Sequence, residues 1–211
     1  FTPGAGNWCS WMFGRDLVNW NTNFTWAKWV TPSRDLINAF KKEGDEVRFK
    51  ESVVYYDCNW SNYYPSDNYP FMYKCRSANS SIIKYRYADV LLLKAEALIM
   101  QDTPDLDGAA DIIDEVRERA KLGALSASTR SNKNAMLNAL LKERRLELAF
   151  EGQRWFDLVR LDKVEEVMNA VYSKDSGRKA QVYAFDKTSY RLPIPQSVID
   201  ANDKIHQNPG Y

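Results

Sequence analysis

The stretch Glu143–Arg160, ERRLELAFEGQRWFDLVR, constrains the fold more than any other part of the chain. It reads as a helix, a glycine break and a second helix, with charges set inside apolar stripes. Leu137, Leu140, Leu141 and Leu148 recur at helical spacing, and the same stripe passes through Arg144. Gly152 supplies the expected stop, because glycine takes a left-handed backbone without strain. Trp155, Leu158 and Val159 restart an apolar face at i, i+3 and i+4. An arginine in a buried stripe needs a carboxylate, since an unpaired buried charge costs several kcal/mol. Glu147, Glu151 and Asp157 are the local candidates. The expectation is a structural ion pair at a helix corner, not a catalytic group.

Composition closes several function classes. The 211 residues can bury a sizeable core in one domain or part of one. With 29 basic and 28 acidic residues the net charge is +1, and the basic residues are dispersed. That leaves no electrostatic case for nucleic acid or an anionic membrane surface. No apolar run reaches the 18 or more residues of a membrane-spanning helix, and no signal peptide is evident. Cys9, Cys58 and Cys75 lack CxxC pairing and do not spell a zinc site. Free buried cysteines are the default, although Cys58 with Cys75 would close a short loop.

The chain divides by composition. Residues 1–80 carry 18 of the 28 aromatics and six of the seven tryptophans, among Pro, Asn and Ser punctuation. Within them Ser33–Glu43 reads as a helix with Leu36, Ile37 and Phe40 on one face, and Val53–Tyr56 as a short strand. The rest reads as aromatic loop, a composition ill suited to disorder. Residues 82–171 read as helices. Ala88, Leu91, Leu92, Ala95, Leu98 and Ile99 form one stripe, and Val90, Leu93, Ala97 and Met100 cover another face. A helix apolar on most sides is expected to be buried. Asp89 and Glu96 on it need partners, with Arg86 and Arg144 as candidates. Pro104-Asp105 and Asp107 mark a turn and an N-cap, and Gly123 the end of the next helix. Two helices joined by a short turn with small residues at the contact suggest a tetratricopeptide-like hairpin. Near the end, Pro193 and Pro195 exclude a helix interior, while Pro195 suits the first turn of a short helix through Ile199.

Catalytic motifs are sparse. His206 is the single histidine, so nucleophilic mechanisms with a histidine base have one candidate. There is no GxSxG, P-loop, GxGxxG or HExxH pattern. Calcium could be held by Asp57, Asp67 and nearby Asn, but no DxDxDG loop supports it, and no cofactor is expected. The positive signal lies in the aromatic loops. Sugars present apolar C–H faces ringed by hydroxyls, which flat aromatic rings and amide side chains can match. Asn59, Trp60, Asn62, Tyr63 and Tyr64 offer that mixture within one short run, and Trp8, Trp11 and Trp20 offer it more sparsely. The competing reading is that these rings pack a loop-rich subdomain.

Three ordered stretches carry a family resemblance. ERRLELAFEGQRWFDLVR resembles the C-terminal signature of SusD/RagB-type proteins. YRYADVLLLKAEAL (Tyr85–Leu98) resembles a helix of that family, and YRLPIPQSVIDAN with QNPGY (Tyr190–Tyr211) resembles its ending. TPSRDLINAFKKEGDEVR (Thr31–Arg48) is a weaker match, and Leu161-Asp162-Lys163 departs from the usual Arg-Trp-Gly. The resemblance implies a mostly α, SusD-like fold: a tetratricopeptide-like hairpin plus further helices, with a loop-rich aromatic subdomain. Residues 1–80 would be the aromatic part and 81–211 the helical C-terminal region, with the N-terminal half of the protein absent. It further implies a non-enzymatic, outward-facing binding protein of the outer membrane, lipid-anchored through that missing N-terminus. Such a protein captures oligosaccharides, or less often peptides, for a SusC-like TonB-dependent transporter. Arg144, Glu147, Glu151, Gly152, Trp155 and Asp157 are then structural, and the aromatic loops hold the site. Two other readings stand beside it: a tetratricopeptide-like scaffold that binds protein and no glycan, and a glycoside hydrolase, which needs two facing carboxylates.

Overall fold

The structure, a computed structural model, describes residues 31–57, 64–65, 67–74, 83–174 and 184–211. The chain divides into two compact units, Phe1–Arg154 and Trp155–Tyr211. The described residues are mostly helical.

In the first unit, helix α1 (Arg34–Glu43) starts where expected, with the Ser33 hydroxyl accepting from Leu36 N at 3.1 Å. Gly44 ends it with a left-handed φ of 71°, and Ile37 and Phe40 face inward. A second short helix follows that the apolar pattern did not announce, α2 (Glu46–Ser52). Asp45 caps it by accepting from Arg48 N. Strand β1 (Val53–Tyr56) lies where expected and pairs antiparallel with β2 (Tyr69–Met72), Val53 opposite Met72 and Tyr56 opposite Tyr69. All four residues of β2 are buried.

Three longer helices build the core: α3 (Tyr87–Met100), α4 (Leu106–Arg119) and α6 (Lys133–Glu147), with a single turn α5 (Ala127–Arg130) between the last two. Leu92, Ala95 and Ile99 of α3 meet Ala109, Ile113 and Val116 of α4 and Met136 and Leu140 of α6. Small alanines on α3 and α4 let the two helices approach closely. Asp105 is the N-cap of α4, accepting from Gly108 N at 2.9 Å.

Three expectations change. Helix α4 stops at Arg119 and turns through Lys121, with φ 59°, ahead of Gly123. Helix α6 stops at Glu147, and the chain turns through two left-handed residues, Phe150 (φ 66°) and Gly152 (φ 80°), so the glycine completes a break that begins earlier. Helix α3 is buried on one side only: Val90 is 52% exposed, Met100 53% and Leu93 39%. Its all-round apolar sequence does not translate into all-round burial within this chain.

In the second unit, α7 (Arg154–Arg160), whose first residue belongs to the first unit, is followed by α8 (Val164–Lys174). A 3₁₀ turn (Lys187–Tyr190) and α9 (Gln196–Asp200) complete it. Pro195 sits at the N-cap of α9. The tail is fixed by amide side chains acting as backbone partners. Gln207 accepts from Ile194 N at 2.8 Å and donates to Ile194 O at 2.9 Å. Asn208 donates to Leu192 O at 2.7 Å. Asn169 does the same for Phe185, with two bonds of 2.9 Å. The extended LPIP segment, short of donors because of its prolines, is thus held by the QN pair of the ending.

Leu140→Ala, at the junction of three helices, should cost about 2–5 kcal/mol of unfolding free energy. Leu93→Ala, on the exposed side of α3, should stay within about 0.5 kcal/mol of wild type. Urea unfolding of both variants checks this, and equal losses would contradict the one-sided burial of α3.

Candidate functional site

The charges of the Glu143–Arg160 stretch are placed by helix geometry. Glu143, Glu147 and Glu151 lie four residues apart, so they begin as a carboxylate row along one face of α6 and continue into the turn after it. Glu143 is fully buried, and Glu147 is nearly so. Buried carboxylates need cations, and several segments supply them. From α2, Arg48 Nη1 reaches Glu143 Oε1 at 2.6 Å and Glu147 Oε2 at 3.1 Å, while its Nε holds Asp45 at 2.5 Å. From α4, Arg117 Nη1 lies 3.1 Å from Glu143 and 2.8 Å from Glu43, and Arg119 binds Glu147. Arg86, just before α3, bonds Glu147 at 2.6 Å and Glu151 at 2.7 Å. Lys74, after β2, pairs with Glu151 at 2.5 Å.

Arg86 and Lys74 also donate to the carbonyl of Glu147, at 2.6 and 2.7 Å. That carbonyl is one of the last four of α6 and has no partner inside the helix. Two cations at a helix C-terminus also match its dipole. The turn at Glu147 is therefore fixed at main chain and side chain together.

Arg144, next in sequence to Glu143, ties α6 to α3. It is 2% exposed, and its Nη1 lies 2.9 Å from Asp89 Oδ1 of α3. A carboxylate for Arg144 thus comes from Asp89 of the α3 pair, a pairing for which Arg144 was a sequence candidate. Asp157 is buried and pairs with Arg160 at 2.7 Å. Trp155 is half-buried, its ring 6.2 Å from Phe185. Gly152 is exposed, at the break.

These neighbours shift the proton equilibria. Burial alone would raise Glu147, but Arg86, Arg119 and Arg48 outweigh it and lower the carboxyl from its ordinary 4.5 to about 2. Burial likewise opposes Glu43, which Lys142 and Arg117 bring down. At Lys74 burial prevails over the pull of Glu151, and the ammonium is lowered. The arrangement is suited to holding helices, because each of these carboxylates is engaged by cations. The sequence reading did not single out Glu143, Arg48 or Arg117. The spacing of Glu143, Glu147 and Glu151 was the available signal.

Among the proposed ligand-facing aromatics, Tyr64 falls in the described residues. Its hydroxyl donates to Pro32 O at 2.7 Å, the Arg34 guanidinium lies 4.5 Å from its ring centroid, and its ring meets Tyr69 edge-on at 5.6 Å. Tyr64 joins Tyr56, Tyr69 and Phe71 in an aromatic cluster on the two-stranded sheet. Trp8, Trp11, Trp20, Asn59, Trp60, Asn62 and Tyr63, and all three cysteines, lie outside the described residues. Among the described residues no three His, Cys, Asp or Glu side chains gather as a metal-ligand set, and no helix is long and apolar enough to cross a membrane.

Because its folded-state value lies below its ordinary one, Glu147 stabilises the fold above about pH 4.5. That contribution, on the order of 3 kcal/mol, is lost as pH falls toward 2. Unfolding free energy measured from pH 6 to 2 should fall less steeply for Glu147→Gln than for wild type. Parallel curves would remove Glu147 from the account.

The geometry agrees with comparison to known proteins. The family model for the SusD family matches residues 66–211. SusD-like protein P2 of Formosa agariphila is 33% identical over 142 residues, covering 64% of this chain and 27% of its own length. SusD-like protein P38 of the same organism is 40% identical over 99 residues, covering 44% and 19%. The chain thus spans about a quarter or less of the length of these curated relatives. Among solved structures, a laminarin binding SusD-like protein superposes with TM-score 0.55 at 26% identity, over 86% of this chain and 38% of its own. Surface glycan-binding protein A from Bacteroides uniformis superposes with TM-score 0.67 at 22% identity, over 90% and 43%. With the matched model spanning more than half of the chain, and its buried charges built on the stretch that carries the family resemblance, the protein belongs to the SusD family.

Proposed function

We propose that this chain is part of a cell-surface protein that binds oligosaccharides and passes them to a SusC-like TonB-dependent outer-membrane transporter, without a chemical step. Family membership carries the proposal, supported by glycan- and laminarin-binding proteins among the structural neighbours. The aromatic loops before residue 80 supply the chemistry, because flat rings cover the C–H faces of sugars while Asn side chains meet their hydroxyls. Trp60, Tyr63, Asn59 and Asn62 form the densest candidate set, with Trp8, Trp11 and Trp20 as further rings, while Tyr64 serves the packing of the sheet. A lipid anchor would hold such a protein on the outer surface. The carboxylates of the Glu143–Glu151 row favour a binding role over glycoside hydrolysis, since cations occupy them and they do not face each other across a cleft.

Affinity electrophoresis against a panel of polysaccharides, followed by calorimetry with the best ligand, tests the proposal. Trp60→Ala should weaken binding about tenfold or more, in line with about 1–3 kcal/mol for one stacked ring. Binding of no saccharide in the panel would overturn it, and release of reducing sugar would point to the hydrolase instead.

A further inference from the structure

A cleft bounded by α1, α2 and β1 belongs neither to the charged row nor to the aromatic loops. It encloses about 650 Å³ and is lined by Phe40, Lys41, Glu46, Phe49, Lys50 and Tyr55, with apolar Val53 and Val54 beside them. That volume falls in the range of small-ligand sites, about 300–1,000 Å³. Phe40 is fully buried, with its ring 5.6 Å from Phe49. Phe49 meets Tyr55 edge-on at 6.4 Å. Phe49 and Tyr55 are half-buried, so part of each ring stays accessible. Among the described residues the Tyr55 phenol has no hydrogen-bond partner. Burial pushes it up from its ordinary value, so at neutral pH it is a neutral donor.

The charges around this cleft are unequal. Asp45 lines it too, but its carboxylate is committed to Arg48 at 2.5 Å. Lys50 and Glu46 are 3.7 Å apart, both largely exposed, a pair worth little in water. Lys41 is exposed and has no carboxylate partner among the described residues. The aromatic wall therefore sits beside an uncompensated positive charge.

We propose that this cleft binds a saccharide carrying an anionic substituent. Phe49 and Tyr55 lie against a C–H face of the sugar, the Tyr55 phenol bonds a ring hydroxyl, and Lys41 faces the acid group. The inference rests on the oligosaccharide-capture reading and names the charge class of one ligand. A neutral sugar would use the rings and leave the Lys41 ammonium idle. A carboxylate or a sulfate ester uses both.

Calorimetry on the full chain at low salt tests it with two probe pairs: oligogalacturonate against its methyl ester, and a sulfated galactan oligosaccharide against its desulfated form. A neutral glucan serves as control, and thermal melts establish that each variant is folded. Wild type should bind at least one charged probe about fivefold or more tighter than its neutral counterpart, the scale of one charge-assisted bond near a surface. The pair that shows the preference tells carboxylate from sulfate. Lys41→Gln should abolish the preference and leave the neutral counterpart unchanged, and Tyr55→Ala should weaken both. The inference is overturned if wild type prefers neither charged probe, or if Lys41→Gln keeps the preference. In either case, continued binding of neutral glucan leaves oligosaccharide capture standing. If no saccharide binds at all, both readings fall.

Discussion

Three carboxylates spaced four residues apart, Glu143, Glu147 and Glu151, are what the rest of the first unit is arranged around. Burying an acid is unfavourable unless its charge is met and its oxygens are hydrogen-bonded. Here the cations come from distant places in the chain: Arg48 is 95 residues from Glu143, and Arg86 is 61 from Glu147. Each pairing closes a long loop, so α2, the segment after β2, the start of α3 and the end of α4 are all tied to one end of α6. Arg144 adds a tie to α3 through Asp89. Such a cluster gives less net stability than an apolar core of equal volume. It is much less forgiving of wrong partners, because every mispaired arrangement leaves a buried charge alone.

This division of labour separates scaffold from recognition. The helical part is fixed by buried charges and a small apolar core, and its buried ionisable groups are paired within the structure. On the proposed reading, ligand chemistry falls to the Asn- and aromatic-rich segments before residue 80 and to the ring-walled cleft beside Lys41. Tyr64 shows that the aromatic part also builds structure, since its hydroxyl is spent on Pro32 and its faces on Tyr69 and Arg34. Aromatic content by itself therefore does not separate packing from binding.

Much of the helical layout was legible in the sequence because the signals are long and periodic. The helix over Ser33–Glu43, the apolar faces of α1 and α4, and Pro195 at the start of α9 could be read directly. Shorter elements were not legible. Helix α2 has seven residues and depends on the Asp45 cap, and β2 has four residues including a proline, with no alternation to read. Helix ends went to Lys121 and Phe150 ahead of the nearest glycines, because tertiary pairing set where the turns fall. Arg144 was legible as an arginine needing an acid. Its pairing with Asp89 was among the candidates the sequence offered, because both residues sit in apolar stripes and need a partner.

The interlocking of the charged row is tested most directly by a double-mutant cycle on Arg48 and Glu143, using Arg48→Met, Glu143→Gln and the double variant. Each single change strands a buried partner, and the double change strands fewer, so the losses should not add. A coupling of about 1–3 kcal/mol in urea unfolding is the predicted result. Additivity within about 0.5 kcal/mol would contradict the claim that this pairing helps hold the fold together.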